Sequence, residues 1–119
     1  MKFWTAQYRY SGDDRIDITA KSEDKIGKLF APTIQLVFNY KDGYITQDEY
    51  IEQYMDLLTK SFKNHKLIWE KFLDMNITVV FVCYCKADTF CHRLLLAKVL
   101  DNMGATYLGE LKNLKQEKK

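Results

Sequence analysis

Thiol, imidazole and guanidinium side chains crowd into one short stretch of this chain. Cys83, Cys85 and Cys91 are followed directly by His92 and Arg93. Sulfur and imidazole nitrogen ligate zinc and also form nucleophile–base pairs, whereas a guanidinium binds phosphate through two parallel hydrogen bonds. Three kinds of chemistry therefore compete for this stretch: metal binding, nucleophilic catalysis and anion binding.

The spacing of these side chains argues against a metal site. Structural zinc sites commonly place about two to four residues between paired cysteines, whereas one residue separates Cys83 from Cys85. Adjacent Cys91 and His92 at a helix start would point about 100° apart. Cys83 also lies in an apolar run, where cysteine commonly serves as a small hydrophobic residue. We therefore expect no metal and no other cofactor.

Cys91 is the candidate nucleophile, and Arg93 is the candidate anion-binding group. The first turn of a helix and a neighbouring guanidinium both favour a thiolate at Cys91. A nucleophile also needs a base, and the neighbouring His92 is the one candidate in the sequence. Anion binding needs fewer partners, because Arg93, His92 and the helix N-terminus all supply donors. The alternative is that Arg93 pairs with Asp88 or with the C-terminal region.

The elements around this stretch predict where it lies. Ile77–Val82 is a short run rich in β-branched residues, which is typical of a strand buried on both faces in a parallel sheet. Apolar residues then recur at helical spacing from Leu94 to Met103, and Gly104 is a suitable C-terminal cap. Strand, loop and helix in this order place the helix N-terminus at the carboxyl edge of the sheet, where phosphates bind.

A second strand brings further candidate residues to that edge. Lys2–Tyr10 has strong β-propensity and predicts the first strand. Ligands of open α/β sheets bind at the carboxyl ends of the strands, and the segment that follows offers a ribose-hydroxyl acceptor and a second phosphate donor. The predicted binding residues are Tyr8, Arg9, Tyr10, Asp17, Thr19, Lys21, Cys85, Lys86, Phe90, Cys91, His92 and Arg93.

The remaining patterns complete an alternation of strands and helices. A helix is predicted from the first turn at Pro32 to about Tyr40, and Thr46-x-x-Glu49 is a capping box before a long amphipathic helix. Further elements are a helix over about Asn64–Met75 and a short strand at Thr106–Leu108. The sequence predicts one small Rossmann-like α/β domain over 1–111, with a mostly parallel sheet covered by helices, and a basic flexible tail over 112–119.

Composition limits the classes of function. The chain has 119 residues, 47% of them hydrophobic and 29% charged, with a net charge of +2. Such a small charge, spread along the chain, makes nucleic acid an unlikely partner. No apolar run approaches the roughly 20 residues that span a bilayer, and no signal-peptide pattern begins the sequence. Three closely spaced cysteines do not suit a disulfide scaffold, so we expect a cytoplasmic protein.

The chain resembles domain-of-unknown-function family 488. The resemblance spans Phe3–Glu110 and is most specific at Val82-Cys83-Tyr84-Cys85, a five-residue gap, and Cys91-His92-Arg93. Its small phage-type branch is similar at Asp17–Lys21, Phe30-Ala31-Pro32-Thr33, Lys41, Tyr50 and Tyr54. Many members have a glutamate where Cys85 stands and a glycine near Ala6 or Gln7. The resemblance implies a Rossmann-like fold with the Cys-His-Arg turn at the carboxyl edge.

These observations lead to three functional hypotheses. The first is binding of a phosphorylated, nucleotide-like small molecule, with phosphate at Cys91–Arg93 and the base or ribose against Tyr8, Tyr10 and Phe90. Given the phage-type resemblance, the bound molecule could be a host nucleotide immune signal, such as an ADP-ribose derivative, that a phage protein sequesters. The second is a nucleotide- or nucleic-acid-processing enzyme that uses Cys91 or His92. The third is a protein-interaction module. Absence of a glutamate at position 85 weighs against catalysis.

Overall fold

The computed structural model describes residues 1–84 and 91–111, and its strands form one four-stranded sheet. The order across the sheet is β2-β3-β1-β4, and each neighbouring pair is parallel. All four carboxyl ends therefore meet at one edge of the sheet. This confirms the predicted Rossmann-like α/β class. The strands are β1 (Lys2–Gln7), β2 (Arg15–Asp17), β3 (Thr78–Cys83) and β4 (Thr106–Leu111).

Within residues 1–84 and 91–111, four α-helices and one short 3-10 helix connect these strands. The predicted capping box at the start of α2 is confirmed, with Thr46 Oγ1 accepting from Glu49 N and Glu49 Oε1 accepting from Thr46 N. No helix of the described residues is long and apolar enough to cross a bilayer. The helices are α1 (Ile34–Lys41), α2 (Gln47–Asn64), α3 (Lys66–Asp74) and α4 (His92–Asn102), and the 3-10 helix is Gly27–Leu29.

Several element boundaries differ from the predicted ones, each for a local reason. β1 ends at Gln7 rather than Tyr10, because the Tyr10 amide donates back to Gln7 O and closes a turn. α1 begins after Pro32, because the Thr33 side chain accepts from Leu36 N as the N-cap. The non-helical backbone of His65 divides α2 from α3, so the preceding residues continue α2.

The two faces of the sheet support two apolar clusters. The larger cluster joins Phe3 of β1 and Phe81 of β3 to the helices, with Trp69 and Tyr54 among its fully buried side chains. The smaller cluster lies on the other face and joins Ala6, Val80 and Val82 to Tyr10. Because β3 contributes to both clusters, its side chains from Val79 to Cys83 are all buried. This confirms the predicted two-sided burial of the strand.

Two glycines adopt positive φ where the chain requires it. Gly104, with φ of +106°, follows the C-cap of α4, as predicted. Gly109, with φ of +119°, lies where the pairing of β4 with β1 shifts register between Phe3 and Trp4. After this bulge Glu110 pairs with Thr5 of β1. The bulge therefore fixes which β4 residue lies beside Thr5.

Candidate functional site

The Cys-His-Arg stretch begins α4 at the carboxyl edge of the sheet. Cys91 is the N-cap with extended backbone, φ of −156° and ψ of 149°, and the helix begins at His92. Among the described residues no side chain caps this end, and the first turn carries no acidic residue. Cys91, His92 and Arg93 are all at least nine-tenths buried. The stretch is therefore part of the interior as well as of the edge.

Arg93 forms a buried ion pair with the C-terminal strand. Its Nε lies 3.1 Å from Glu110 Oε1, and its Nη2 lies 2.7 Å from Glu110 Oε2. Burial alone would lower the pKa of the guanidinium, but hydrogen bonds to Glu110 and Cys83 outweigh it and raise that pKa. Of the alternatives for Arg93, the structure shows the pair with the C-terminal region. The two parallel donors of the guanidinium, Nε and Nη2, therefore bind the Glu110 carboxylate.

Glu110 is itself held by hydroxyl groups. Thr5 Oγ1 donates to Glu110 Oε1 over 2.5 Å, and Thr5 Oγ1 also lies 2.6 Å from the Tyr107 hydroxyl. Because the single Thr5 proton is used for Glu110, the Tyr107 hydroxyl donates to Thr5. A continuous chain of hydrogen bonds thus runs from Tyr107 through Thr5 and Glu110 to Arg93.

His92 is a buried neutral histidine with a defined tautomer. Burial, assisted by the charge of Arg93, lowers the pKa of His92 to about 4. His92 Nε2 lies 2.8 Å from the carbonyl oxygen of Ile18, which can only accept. The single ring proton is therefore on Nε2, and the lone pair of Nδ1 faces Cys91 Sγ at 3.8 Å.

Two sulfur atoms complete this group. Cys83 Sγ lies 2.7 Å from Cys91 Sγ, and Arg93 Nη1 donates to Cys83 Sγ over 3.2 Å. Cys91 is disulfide-bonded in this structure and Cys83 is not part of that disulfide, so any chemistry of the Cys91 thiol belongs to the reduced chain. A positive charge beside a sulfur favours the thiolate form. The group Cys83, Cys91, His92 and Arg93 is called the thiol cluster below.

An aromatic pair lies at the same edge, where β1 and β3 end. The rings of Tyr8 and Tyr84 stack with centroids 4.1 Å apart and planes 23° apart. A side-chain hydrogen bond to Tyr8 raises the pKa of Tyr84, which remains 68% exposed. The Arg15 guanidinium lies 4.7 Å from the Tyr8 ring centroid and donates to the carbonyl oxygens of Tyr8 and Tyr10. An exposed aromatic face is therefore held in place at the edge.

The thiol cluster and the aromatic pair lie on the two sides of this edge. Tyr8 packs against the smaller apolar cluster, whereas Cys83 and Cys91 belong to the larger one. Register pairs Gln7 with Cys83, so Tyr8 and Tyr84 follow paired positions of adjacent strands. A ligand that contacts both groups would lie across the carboxyl edge.

The other predicted binding residues differ in burial, and some lie outside the described residues. Tyr10 is buried and its hydroxyl donates to Asp14 over 2.6 Å. Asp17 Oδ1 accepts from Thr19 N over 2.8 Å, and Thr19 is buried. Arg9 and Lys21 are exposed. Cys85, Lys86 and Phe90 lie outside the described residues, as does the predicted tail over 112–119.

Sequence reasoning missed Glu110, Tyr84 and Arg15. The predicted last strand stopped at Leu108, although the rule that places Tyr8 at the carboxyl edge also places the end of any parallel β4 there. Tyr84 directly follows the predicted strand over Ile77–Val82 and Cys83, so its position at the edge could have been inferred. The sequence carries no signal that Arg15 would turn back towards Tyr8.

Comparison with known proteins matches most of the chain to a protein family. The family model DUF488-N3a, described as the active DUF488-N3 subclade, matches residues 2–104. The matched region contains β1 to β3, α4 and the whole thiol cluster. Neither a curated protein nor a solved structure matches the chain.

Proposed function

The chain belongs to the DUF488 family, and we propose that it binds a phosphorylated, nucleotide-like small molecule across the carboxyl edge of its sheet. The observation that carries this proposal is the stacked pair of Tyr8 and Tyr84, whose outer ring is 68% exposed. Nucleobases stack on such aromatic faces regardless of their sequence. In open parallel sheets this edge is the usual position of a nucleotide.

The rest of the edge suits the ribose and phosphate. The half-buried carboxylate of Asp17 ends β2 and is an acceptor of the kind that binds ribose hydroxyls. The start of α4 carries no acidic side chain, and the N-terminal dipole of a helix favours an anion. The Arg93 guanidinium is paired with Glu110, which balances its charge. The attraction for phosphate proposed here therefore comes from the N-terminus of α4.

A more specific form of this proposal concerns the biological role. By its resemblance to the phage-type branch, the protein would act in the cytoplasm as a phage anti-defence factor. It would sequester a host nucleotide signal such as an ADP-ribose derivative. Sequestration requires a retained ligand rather than turnover, so ligand recovered intact after long incubation is the result expected for this role.

The proposal is tested by calorimetric titration with ADP-ribose, ADP, AMP and adenosine. Tyr84→Ala should weaken binding by about 1–3 kcal/mol, or roughly 5- to 150-fold, because it removes the stacking surface. Tyr84→Phe should retain most of the affinity, since it keeps the ring. Tyr44→Ala is the matched control, because Tyr44 is 79% exposed and lies between α1 and α2. Equal affinity of Tyr84→Ala and wild type would contradict the proposal.

An enzyme that processes a nucleotide is the second candidate, and the geometry of the thiol cluster favours it. In the reduced chain the His92 Nδ1 lone pair, 3.8 Å from Cys91 Sγ, is placed to accept the thiol proton. Cys91 also lines a cavity of about 630 Å³ between α2 and α4. The matched subclade is described as active. Mass spectrometry of the ligand after incubation distinguishes the candidates, because Cys91→Ser should stop turnover but spare simple binding.

A further inference from the structure

The thiol cluster also contains three metal-ligating side chains. Within the described ranges, one group of three His, Cys, Asp or Glu side chains has its donor atoms close enough for a single ion. These are Cys83, Cys91 and His92, with all donor atoms within 4.8 Å of one another and all three side chains buried. We propose that Cys83, Cys91 and His92 of the reduced chain bind one thiophilic divalent ion such as zinc, through two sulfur atoms and His92 Nδ1.

One donor–donor distance within the group already suits a tetrahedral ion. Zinc–sulfur bonds of about 2.3 Å and zinc–nitrogen bonds of about 2.0 Å place tetrahedral donors roughly 3.5–3.8 Å apart. Cys91 Sγ and His92 Nδ1 are 3.8 Å apart. The two sulfur atoms, at 2.7 Å, are closer than this. One cysteine side chain must therefore swing outward by about 1 Å when the ion enters.

The backbone at Cys91 explains why two adjacent residues converge on one point. If both residues were helical, their side chains would point about 100° apart, which is one of the three reasons for which the sequence predicts no metal. Cys91 instead has extended backbone, and α4 begins at His92. The helical rotation therefore does not separate the two side chains, and the objection is removed.

A second shell of hydrogen bonds already orients the donors. His92 Nε2–H donates to Ile18 O over 2.8 Å, which leaves Nδ1 to face the sulfur atoms. Histidines that ligate metals are typically held in this way by their other nitrogen. Arg93 Nη1 donates to Cys83 Sγ over 3.2 Å, and Glu110 balances the charge of Arg93. A divalent ion with two thiolates adds no net charge, which suits a buried position.

Three protein donors leave a fourth position on the ion. Zinc sites with three protein ligands typically keep that position for water or substrate. Cys91 lines the cavity of about 630 Å³ between α2 and α4, which provides an access route past exposed Gln47 and Lys98. The proposed site therefore keeps one coordination position open for water or substrate. It does not depend on whether a nucleobase stacks on Tyr84.

Reduction has to precede metal binding, because Cys91 is disulfide-bonded in this structure. A phosphine reductant gives two electrons to the disulfide and becomes a phosphine oxide, with its oxygen taken from water. The two protons of that water protonate Cys91 Sγ and the sulfur atom that was bonded to it, whereas Cys83 takes no part in the disulfide. Binding of the ion then displaces the thiol protons of Cys83 and Cys91 into solvent.

Cobalt titration of the phosphine-reduced chain under anaerobic conditions tests the site. We expect one Co²⁺ per chain, a thiolate-to-cobalt charge-transfer band and the intense visible bands of four-coordinate cobalt, all removed by added zinc. Second-shell substitutions commonly weaken metal binding about 10- to 100-fold, so loss of a ligand in Cys83→Ser or His92→Gln should cost at least about 100-fold. His65→Gln is the matched control, because His65 is exposed between α2 and α3.

The outcomes separate the proposal from its alternatives. A reduced wild-type chain without the charge-transfer band overturns it, as does unchanged affinity in both Cys83→Ser and His92→Gln. Equal losses in His65→Gln and His92→Gln would place the ion elsewhere and also overturn it. If a ligand variant fails to fold, the wild-type chain decides the matter by its melting temperature. That temperature should rise with zinc concentration only after reduction, and no rise refutes the site.

Discussion

At the scale of single residues, Arg93 is a tightly constrained side chain. It is 1% exposed and uses its guanidinium for Glu110 on one side and Cys83 on the other. Removing charges from water is costly, and their mutual attraction compensates only when the remaining polar groups are satisfied. Thr5 supplies one of those bonds to Glu110. Loss of either charge would leave the other buried without compensation.

Arg93→Ala is therefore expected to lower the free energy of unfolding by about 3–5 kcal/mol. The double variant Arg93→Met, Glu110→Leu should recover much of this loss, because it removes both charges and keeps apolar volume. Urea denaturation of Arg93→Met, of Glu110→Leu and of the double variant gives the coupling energy. A double variant no more stable than Arg93→Ala would show that the pair is not the source of the loss.

At the scale of elements, the start of α2 shows how strongly local sequence determines structure. The capping box at Thr46 and Glu49 satisfies two amides at the helix start. Asp48 and Glu49 in the first turn also interact favourably with the helix dipole. These contacts involve neighbours in sequence alone, and for this reason the start of α2 could be predicted without a structure.

Thr46→Ala should destabilise the protein by about 0.5–2 kcal/mol, because it removes the acceptor for Glu49 N. Thr59→Ala in the same helix is the control. Thr59 is exposed, its hydroxyl bonds back to Met55 O, and alanine is the better helix former. The midpoint of urea denaturation should fall for Thr46→Ala and stay level or rise slightly for Thr59→Ala. A lower midpoint for Thr59→Ala than for Thr46→Ala would show that the capping box does not stabilise the start of α2.

The buried face of α2 makes stability depend on alkaline pH. Burial raises the pKa of Tyr50 and of Tyr54 above the ordinary value of 10.0. The unfolded chain therefore loses these protons near pH 10 while the folded chain keeps them. The free energy of unfolding is unaffected by these groups below that pH. Above it, each tyrosine lowers the free energy of unfolding by about 1.4 kcal/mol per pH unit, until the pH reaches the pKa of that tyrosine in the folded chain.

Urea denaturation on both sides of pH 10 measures this effect. Tyr54→Phe should be less stable at neutral pH by about 1–3 kcal/mol, because the buried Phe30 carbonyl loses its donor. Above pH 10 its stability should fall less steeply than that of wild type, since one titrating group is missing. Tyr50→Phe should flatten the same slope. Identical slopes in all three proteins would mean that these tyrosines do not control alkaline stability.

At the scale of the whole molecule, the sheet is built from its two central strands. β3 and β1 each pair on both sides, and their registers run from Lys2 with Thr78 to Gln7 with Cys83. The radius of gyration is 13.8 Å, close to the roughly 13.5 Å expected for a compact domain of this length. The segment around Gly27–Leu29 packs at the periphery beside β2.

Amide hydrogen exchange should show β3 as the most protected strand, because a central strand opens only near global unfolding. Amides around Lys21–Lys28 should exchange faster by several orders of magnitude. β2 is three residues long and lies at the edge of the sheet, so it should be intermediate. Protection of β3 no greater than that of Lys21–Lys28 would contradict the central placement of this strand.

The sequence predicted local features well and distant ones poorly. β3, α4 and the cap at Gly104 follow from runs of a few residues, and each is confirmed. The partner of Arg93 does not, because Glu110 reaches it only after a bulge at Gly109 sets the pairing with β1. The convergence of Cys91 and His92 depends on one extended residue. The backbone conformation of Cys91 brings these two side chains together, and the residue types in the sequence do not reveal that conformation.

The position of β1 has a consequence for how the protein is made. Its two neighbours, β3 and β4, come later in the sequence, so β1 is synthesised before either strand that pairs with it. A ribosome adds residues at about 5–20 per second, and until Thr78 and its successors emerge, the backbone N–H and C=O groups of β1 have no partner strand. Pairings this distant in sequence form slowly. Until β3 and β4 have been made, both edges of β1 therefore present unpaired N–H and C=O groups, which are a template for pairing with another chain.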